Sequence, residues 1–137
     1  SSTNLSFINA VCLIRLRSLN CSHTNLIRLE ISHCPSLYDL DCSFTYINKL
    51  NIDDCTKLRN LNCSFRKLST LNVCNLTCLC ELNCSNTNIT SLDVSNCEKL
   101  LDLNCLNTKI KNIYLYDLSK LRCFEHPGKV KIKSDLK

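Results

Sequence analysis

Cysteine and histidine are the residue types in this chain with the most reactive side chains. Thirteen cysteines stand among 137 residues, together with three histidines. Such residues hold metal ions or act as nucleophiles when their spacing brings them together. The densest group, Cys74, Cys78, Cys80 and Cys84, lacks the paired C-x-x-C spacing of structural zinc sites. We therefore predict no metal site.

The spacing of the residues indicates no catalytic partner for any of the three histidines. His23 and His33 stand at variable positions, and the most plausible pair is His126 with Cys105, which lies 21 residues earlier. A Cys-His nucleophile pair needs hydrogen-bond contact, and we interpret His126 as a structural residue instead. A single glycine provides no phosphate-binding loop. The chain is predicted not to be an enzyme, to have no catalytic residues and to need no cofactor.

The dominant spacing in the chain is a repeat of 21 residues. It is marked by a cysteine column, which we call the core ladder: Cys21, Cys42, Cys63, Cys84 and Cys105. Six apolar columns keep the same register, and the alternations Leu-x-Cys and Leu-x-Ile predict two short strands per coil. A coil cannot bury its apolar side alone, so coils must stack at about 4.7 to 4.9 Å. The repeat predicts an all-β-rich solenoid.

The register also divides the chain. It predicts a single domain over 1–137, with a partial N-terminal coil at 1–15, five full repeats at 16–120, and a partial repeat and cap at 121–137. Towards the N-terminus it places four residues in apolar columns: Leu5, Ile8, Ala10 and Leu13. Towards the C-terminus it places Leu136 in the column of Leu115, and Val130 to Lys133 alternates as a protected edge strand should. We also expect the native chain to continue upstream of residue 1.

One coil resembles a known repeat. Leu16-x-x-Leu19-x-Cys21-x-x-Thr24-x-Leu26 resembles the conserved half of a leucine-rich repeat. The second half of the coil repeats this pattern in a nested way, which is similar to the short 21-residue class of that family. The resemblance covers nearly the whole chain. It implies a right-handed coil stack that serves as a non-catalytic scaffold for protein–protein interaction.

The chain departs from that family at one column. Asparagine is replaced by threonine in four coils and by Arg66 in the third: Thr24, Thr45, Thr87 and Thr108 are the threonines. We expect the threonine hydroxyls to supply the backbone hydrogen bonds that asparagine supplies in the family. Position 66 is predicted to be the irregular coil.

The cysteines also indicate a compartment. Eight of them stand in core columns, where a free thiol packs as a small hydrophobe, and stacked columns hold their Cβ atoms too far apart for disulfides. Free thiols indicate a reducing compartment. Three glycosylation sequons on one strand face, at Asn20, Asn62 and Asn83, also disfavour a eukaryotic secretory route. We predict a cytoplasmic protein, and an extracellular bacterial setting is compatible with the same argument.

The positions between the columns carry the candidate binding site. One row is polar, with Asn20, Asp41, Asn62, Asn83 and Asn104, and its neighbouring serines are expected to point outward. The next row places Phe44 and Phe65 on adjacent coils, and aromatic residues with arginine are typical of interface anchors. We predict an anchor formed by Phe44, Phe65 and Tyr46, flanked by Arg59 and Arg66. Ordinary packing of both rings over a neighbouring coil is the alternative.

The leading hypothesis is a scaffold that presents its repeat surface to a protein partner of unknown identity. The alternative is a structural spacer, or a fragment of a larger repeat protein such as a pathogen effector, with its activity elsewhere. The net charge of +5 lies within residues 109–137, which predicts neither nucleic-acid nor membrane binding. A sugar- or ice-binding surface built on Ser22/Thr24 and Ser43/Thr45 is disfavoured because Arg66 and Leu106 interrupt it. The oligomeric state is left open.

Overall fold

The computed structural model describes residues 5–65 and 67–134, without the side chain of Leu118. These residues form eleven short strands: β1 (Phe7–Asn9), β2 (Ser18–Asn20), β3 (Arg28–Glu30), β4 (Asp39–Asp41), β5 (Asn60–Asn62), β6 (Glu81–Asn83), β7 (Ser91–Val94), β8 (Asp102–Asn104), β9 (Asn112–Leu115), β10 (Cys123–Glu125) and β11 (Lys131–Ser134). A single turn of 3₁₀ helix, Leu118–Lys120, is the only helical element in this part of the chain. The solenoid of about six coils is therefore built from strands and turns, as the repeat predicts.

Two sides of the solenoid carry parallel sheets. The first strand of every coil joins one six-stranded sheet in the order β10-β8-β6-β5-β4-β2, which we call the front sheet. On the other side, β1 pairs with β3, and β7, β9 and β11 form a separate three-stranded sheet. Leu40 pairs with Leu61, and Leu61 with Leu82, so the front-sheet register is 21 residues. The predicted columns are therefore confirmed in this sheet.

The second side is interrupted in its middle. Between β3 and β7, within the described residues, the second strand of the coil is reduced to one isolated bridge from Glu30 to Asn51. The column residues there, Leu50 and Leu71, are only partly buried, whereas Leu29 and Leu92 are buried. Two regular strands per coil were predicted, so the prediction is wrong for these coils. The loss is confined to the strand, because the following column residues Ile52 and Val73 are buried.

The ends of the solenoid depart from the extrapolated register. Leu5 and Leu13 are exposed, because the described chain provides a stacking partner on one side only. At the other end, β11 pairs with β9 at an offset of 19, so that Ser134 and not Leu136 stands beside Leu115. The turn at Pro127-Gly128 makes this last coil two residues shorter than a regular one. Leu136 itself lies outside the described residues.

The core ladder is buried along its whole length, from Cys21 to Cys105. Each ladder amide donates to a carbonyl of the next coil, as in Cys63 N to Asn83 O at 2.9 Å. Some thiols donate as well: Cys105 Sγ lies 3.3 Å from Glu125 O, and Cys34 Sγ, in a second buried column, lies 3.0 Å from Ala10 O. The thiols thus fill the space of a small apolar side chain and also satisfy backbone oxygens.

Threonine replaces the asparagine of the family as expected. The hydroxyl of Thr87 donates to Cys84 O at 2.8 Å, and that of Thr45 donates to Cys42 O at 3.1 Å. The oxygen of Thr24 also accepts from Leu26 N at 3.4 Å, which is a long hydrogen bond. These bonds stay within one coil. The prediction for Arg66 falls outside the described residues.

Burial changes the acid–base behaviour of the ladder. Loss of solvation raises the pKa of Cys105 from 9.0 to about 12, and burial raises the pKa of Cys84 still further. The same cause raises the pKa of Cys97, in the second column, to about 12. These thiols are therefore held in their neutral, unreactive form at neutral pH.

This burial predicts a measurable loss of stability in alkali. The folded thiol of Cys105 keeps its proton up to about pH 12, whereas the unfolded thiol loses it near pH 9. Its contribution is therefore complete below pH 9 and is lost as the pH rises towards 12. Urea unfolding of the Cys105→Ala variant should show a free energy that falls less steeply between pH 9.5 and 11, by about 1.4 kcal/mol per pH unit. Val94→Ala, which shortens a buried side chain that carries no titrating group, is the control and should keep the wild-type slope. An unchanged slope in Cys105→Ala would contradict the burial.

Candidate functional site

The front sheet carries a shallow groove of about 450 Å³ that runs across all six strands. Its floor consists of two rows of side chains that face solvent, at the first and third position of each strand. The first row is Ser18, Asp39, Asn60, Glu81, Asp102 and Cys123. The second row is Asn20, Asp41, Asn62, Asn83 and Asn104, the polar row predicted from the sequence. Parallel strands in register bring every member of a row beside its equivalent in the next coil.

Each side chain of the second row is tied to the turn that follows it. In the third coil, Asn62 Oδ1 accepts from the amide of Ser64 at 3.2 Å and from its hydroxyl at 2.7 Å. The same two bonds join Asp41 to Ser43 and Asn83 to Ser85. The side-chain oxygen is thereby occupied, and the amide group of each asparagine is the end left on the groove side.

The serines next to this row do not point outward as expected. Ser43, Ser64 and Ser85 are buried. The turn folds each hydroxyl back onto the preceding asparagine or aspartate, and coils on both sides cover so small a side chain. The expectation from strict alternation is therefore wrong for these positions, because the strand already ends at residue 41, 62 or 83.

The groove is acidic, although the chain as a whole carries a net charge of +5. Four carboxylates line it, those of Asp39, Asp41, Glu81 and Asp102, and no lysine or arginine is among its lining residues. Asp39 accepts a hydrogen bond from Asn60. Asp102 pairs with Arg122 at 2.6 Å at one end of the groove, and this contact raises the pKa of the Arg122 guanidinium.

Three aromatic side chains stack on one another just beyond the C-terminal ends of the front-sheet strands, and we call them the aromatic ladder. The ring centroids of His23 and Phe44 lie 4.4 Å apart, and those of Phe44 and Phe65 lie 4.1 Å apart. The planes are tilted by only 12° and 15°. Phe44 and Phe65 remain 42% and 45% exposed, so the rings pack on each other and not into the core.

A left-handed turn holds the aromatic ladder. His23, Phe44 and Phe65 have φ values of 55°, 53° and 56°, a region that residues with side chains seldom adopt. Their amides donate to the next coil, as in Phe65 N to Ser85 O at 3.0 Å. Asn86 and Asn107 take the same conformation in the following coils. Backbone hydrogen bonds between coils therefore hold the ladder residues in place.

The structure brings together some of the predicted anchor residues and separates others. Phe44 and Phe65 stack, and Tyr46 is exposed two residues beyond Phe44. Arg59 precedes β5, whereas Phe65 follows it, so these two residues stand at opposite ends of the same strand. Arg66 lies outside the described residues.

Other features of the site were missed in the sequence analysis. His23 continues the stack of rings; the 21-residue register placed it in the row of Phe44, but the predicted anchor did not include it. The carboxylates of the first row, Asp39, Glu81 and Asp102, also recur in the 21-residue register. The row mixes these carboxylates with serine, asparagine and cysteine, so no single residue type marks it in the sequence.

The histidines differ from their prediction in one respect. His33 has a partner: its Nδ1 lies 2.6 Å from Asp54 Oδ2. His126 Nδ1 lies 2.7 Å from the backbone oxygen of Pro127.

Within 5–65 and 67–134, no cluster of three or more His, Cys, Asp or Glu side chains is arranged to hold a metal ion. The same residues include no helix long and apolar enough to span a membrane.

Comparison with known proteins gives one informative likeness. No family model matches the chain, and no curated protein matches it. Among solved structures, the chain is similar to the functional domain of InlJ from Listeria monocytogenes, which includes a cysteine ladder. The two are 35% identical with a TM-score of 0.79 over 85% of this chain. The chain spans 26% of the length of that structure.

The exposed rings should contribute little to stability. Asparagine is what the chain itself carries at the equivalent positions 86 and 107, and it tolerates the left-handed turn. Replacing Phe44 and Phe65 together by Asn should therefore change the unfolding free energy by no more than about 1 kcal/mol, because lost stacking is offset by relieved backbone strain. Leu61→Ala, in the buried column, is the comparison and should cost about 2 to 5 kcal/mol in the same urea titration. A loss of similar size in the Phe44→Asn/Phe65→Asn variant would make the rings packing residues.

Proposed function

We propose that this chain, whose repeat fold fits the leucine-rich-repeat family, is a non-catalytic scaffold that presents its repeat surface to a protein partner. The observation that carries this proposal is the aromatic ladder. Two phenyl rings are held nearly half exposed, stacked on each other, by backbone hydrogen bonds from one coil to the next. Large exposed aromatic side chains reduce solubility unless a partner covers them.

Rigidity favours the ladder as a binding anchor. The entropy lost when side chains are ordered is a large cost of association. Stacking and the left-handed turn restrict Phe44 and Phe65 before any partner arrives. Aromatic residues of this kind are enriched among the few positions that dominate binding energy. We include exposed Tyr46 in this anchor, because it follows Phe44 by two residues, beyond the C-terminal end of β4.

The groove beside the ladder suggests the charge of the partner. Arg122 pairs with one of its four carboxylates, that of Asp102, and no lysine or arginine is among its lining residues, so the groove keeps an excess of negative charge. The asparagine amides of the second row add hydrogen-bond donors. A segment with lysine or arginine side chains would meet complementary charge there, and its backbone carbonyls would accept from the amides. We propose that Asn20, Asp41, Asn62, Asn83 and Asn104 form the floor of the contact. Arg59 stands at the N-terminal end of β5, at the opposite end of the strand from the aromatic ladder.

A second candidate function is a spacer within a longer repeat protein. One observation favours it, namely that the chain spans 26% of the InlJ structure it resembles. A scaffold and a spacer differ in whether the aromatic ladder binds a partner. We propose a reducing, cytoplasmic compartment for either form, since the ladder thiols pack in the buried core without oxidation.

Affinity capture under reducing conditions tests the scaffold against the spacer. The wild-type chain, the Phe44→Asn/Phe65→Asn variant and a Tyr114→Thr control would be used as matched baits. Tyr114 is an exposed aromatic residue of β9, on the other side of the solenoid. We expect at least one protein that the wild type and the control retain and the double variant loses.

Calorimetry with the purified partner then gives the size of the effect. Loss of the anchor should weaken binding by about 2 kcal/mol or more, roughly 30-fold in Kd. Glu81→Gln should weaken binding less and reduce its dependence on salt, because it removes one groove charge. Unchanged affinity in the folded double variant would place the binding surface elsewhere, and a wild-type bait that retains no protein specifically would favour the spacer.

A further inference from the structure

A line of basic side chains runs along the N-terminal ends of the front-sheet strands. Arg17, Tyr38 and Arg59 directly precede β2, β4 and β5 and recur in the 21-residue register. The amide of Tyr38 donates to Arg17 O, and that of Arg59 donates to Tyr38 O, both at 2.9 Å. These bonds hold the three residues side by side on successive coils, about 4.8 Å apart. An exposed tyrosine is thus fixed between two arginines.

Two more basic residues stand on the turn that leads into these strands. Arg15 and Lys57 each take the third position of a four-residue turn, which is closed by a backbone hydrogen bond of 3.1 Å. The equivalent position in later coils carries Lys99 and Lys120, and both are exposed. The basic ridge, as we call it, consists of Arg15, Arg17, Tyr38, Lys57 and Arg59.

The side chains of the basic ridge are left open to a ligand. Its four cations are exposed, and none of them forms an ion pair with another described residue. The Tyr38 ring is 41% exposed, and within 5–65 and 67–134 no second ring stacks on it and no cation lies over it. The next residue, Asp39, lines the groove and accepts a hydrogen bond from Asn60. The ring face and the cations are therefore available together.

The charge of this surface is hidden in the sequence. Residues 1–108 are neutral as a whole, because the entire net charge of +5 lies within 109–137, so composition predicts no anionic partner for them. The structure separates the charges of that neutral part. Asp39, Asp41 and Glu81 line the groove, whereas the cations of the basic ridge stand beyond the N-terminal ends of the same strands. A local excess of positive charge attracts a polyanion even where the average charge is zero.

We propose that the basic ridge binds single-stranded nucleic acid, with backbone phosphates on its four cations and a base stacked on Tyr38. Guanidinium groups bind phosphate oxygens through paired N–H donors. An open tyrosine ring offers a stacking face to an unpaired base, whereas the bases of a duplex are already stacked on each other. Tyr38 therefore favours a single strand over a duplex or a membrane surface. The ridge stands at the opposite ends of the strands from the aromatic ladder, so this site is separate from the proposed protein anchor.

Fluorescence anisotropy with a labelled oligouridylate of about 12 nucleotides tests the site, since single-stranded sites cover about 4 to 16 nucleotides. Four phosphate contacts predict that the logarithm of the association constant falls with the logarithm of the salt concentration with a slope of about −3. Arg17→Gln/Arg59→Gln should weaken binding and make this slope shallower by about 1.4. Lys49→Gln/Lys67→Gln removes the same charge from exposed positions outside the ridge, and this control should keep the wild-type slope.

Tyr38 has a separate readout. Tyr38→Leu should weaken binding about fivefold or more without changing the salt slope, because the base loses its stacking partner while the phosphate contacts remain. Phe44→Asn/Phe65→Asn should bind the oligouridylate as the wild type does, so loss of a protein partner in that variant has no bearing on the ridge.

Two results would overturn the proposal. The first is a wild-type chain that does not bind the oligouridylate at about 50 mM salt. If that chain instead sediments with vesicles of phosphatidylserine and phosphatidylcholine, the cations serve a membrane surface. The second is an Arg17→Gln/Arg59→Gln variant that binds the oligouridylate as tightly as the wild type, with thermal unfolding showing that the variant is folded.

Discussion

Hydrogen bonding between coils at a fixed offset of 21 residues is the constraint on which the rest of this molecule depends. Cys42 N reaches Asn62 O and Cys63 N reaches Asn83 O, both at 2.9 Å, and the bond recurs at every coil of the front sheet. Because these bonds hold equivalent positions of successive coils side by side, as in Leu40 beside Leu61, any residue type that recurs every 21 residues becomes a column. Burial, charge and reactivity are therefore properties of columns before they are properties of single residues.

Two columns differ from the others in backbone conformation, and the proposed binding anchor belongs to the first of them. Positive φ values occur at His23, Phe44, Phe65, Asn86 and Asn107 after the first strand, and at Cys12, His33 and Asp54 after the second. None of these residues is glycine, so each side chain costs about 1 to 2 kcal/mol in this region unless it tolerates the turn as asparagine and aspartate do. Strain of this kind is common at functional sites, where the surrounding structure holds it in place. Here the bonds between coils do so.

The sequence was sufficient for the columns and insufficient for the turns. Leu40, Cys42 and Thr45 recur in a register that leaves one way to close the core, so their burial was predictable. Ser43 follows the end of its strand, and alternation no longer applies there. The offset of 19 at β11 depends on the length of a turn, which no column marks. The pair of His33 and Asp54 joins two different residue types at equivalent positions, so no recurring residue type marks it in the sequence.

The turns at the C-terminal ends of the front-sheet strands form a rigid platform for the aromatic ladder. Amide hydrogen exchange tests this rigidity most directly. The amides of Phe44 and Phe65 donate to the next coil at 3.3 and 3.0 Å, although both residues lie in turns on the surface. If the platform is rigid, these two amides should exchange as slowly as those of Cys42 and Cys63 in the adjacent ladder, since both sets open only when coils separate. Exchange at the rate of an unprotected amide, with Cys42 and Cys63 still protected, would show a mobile edge and contradict the account.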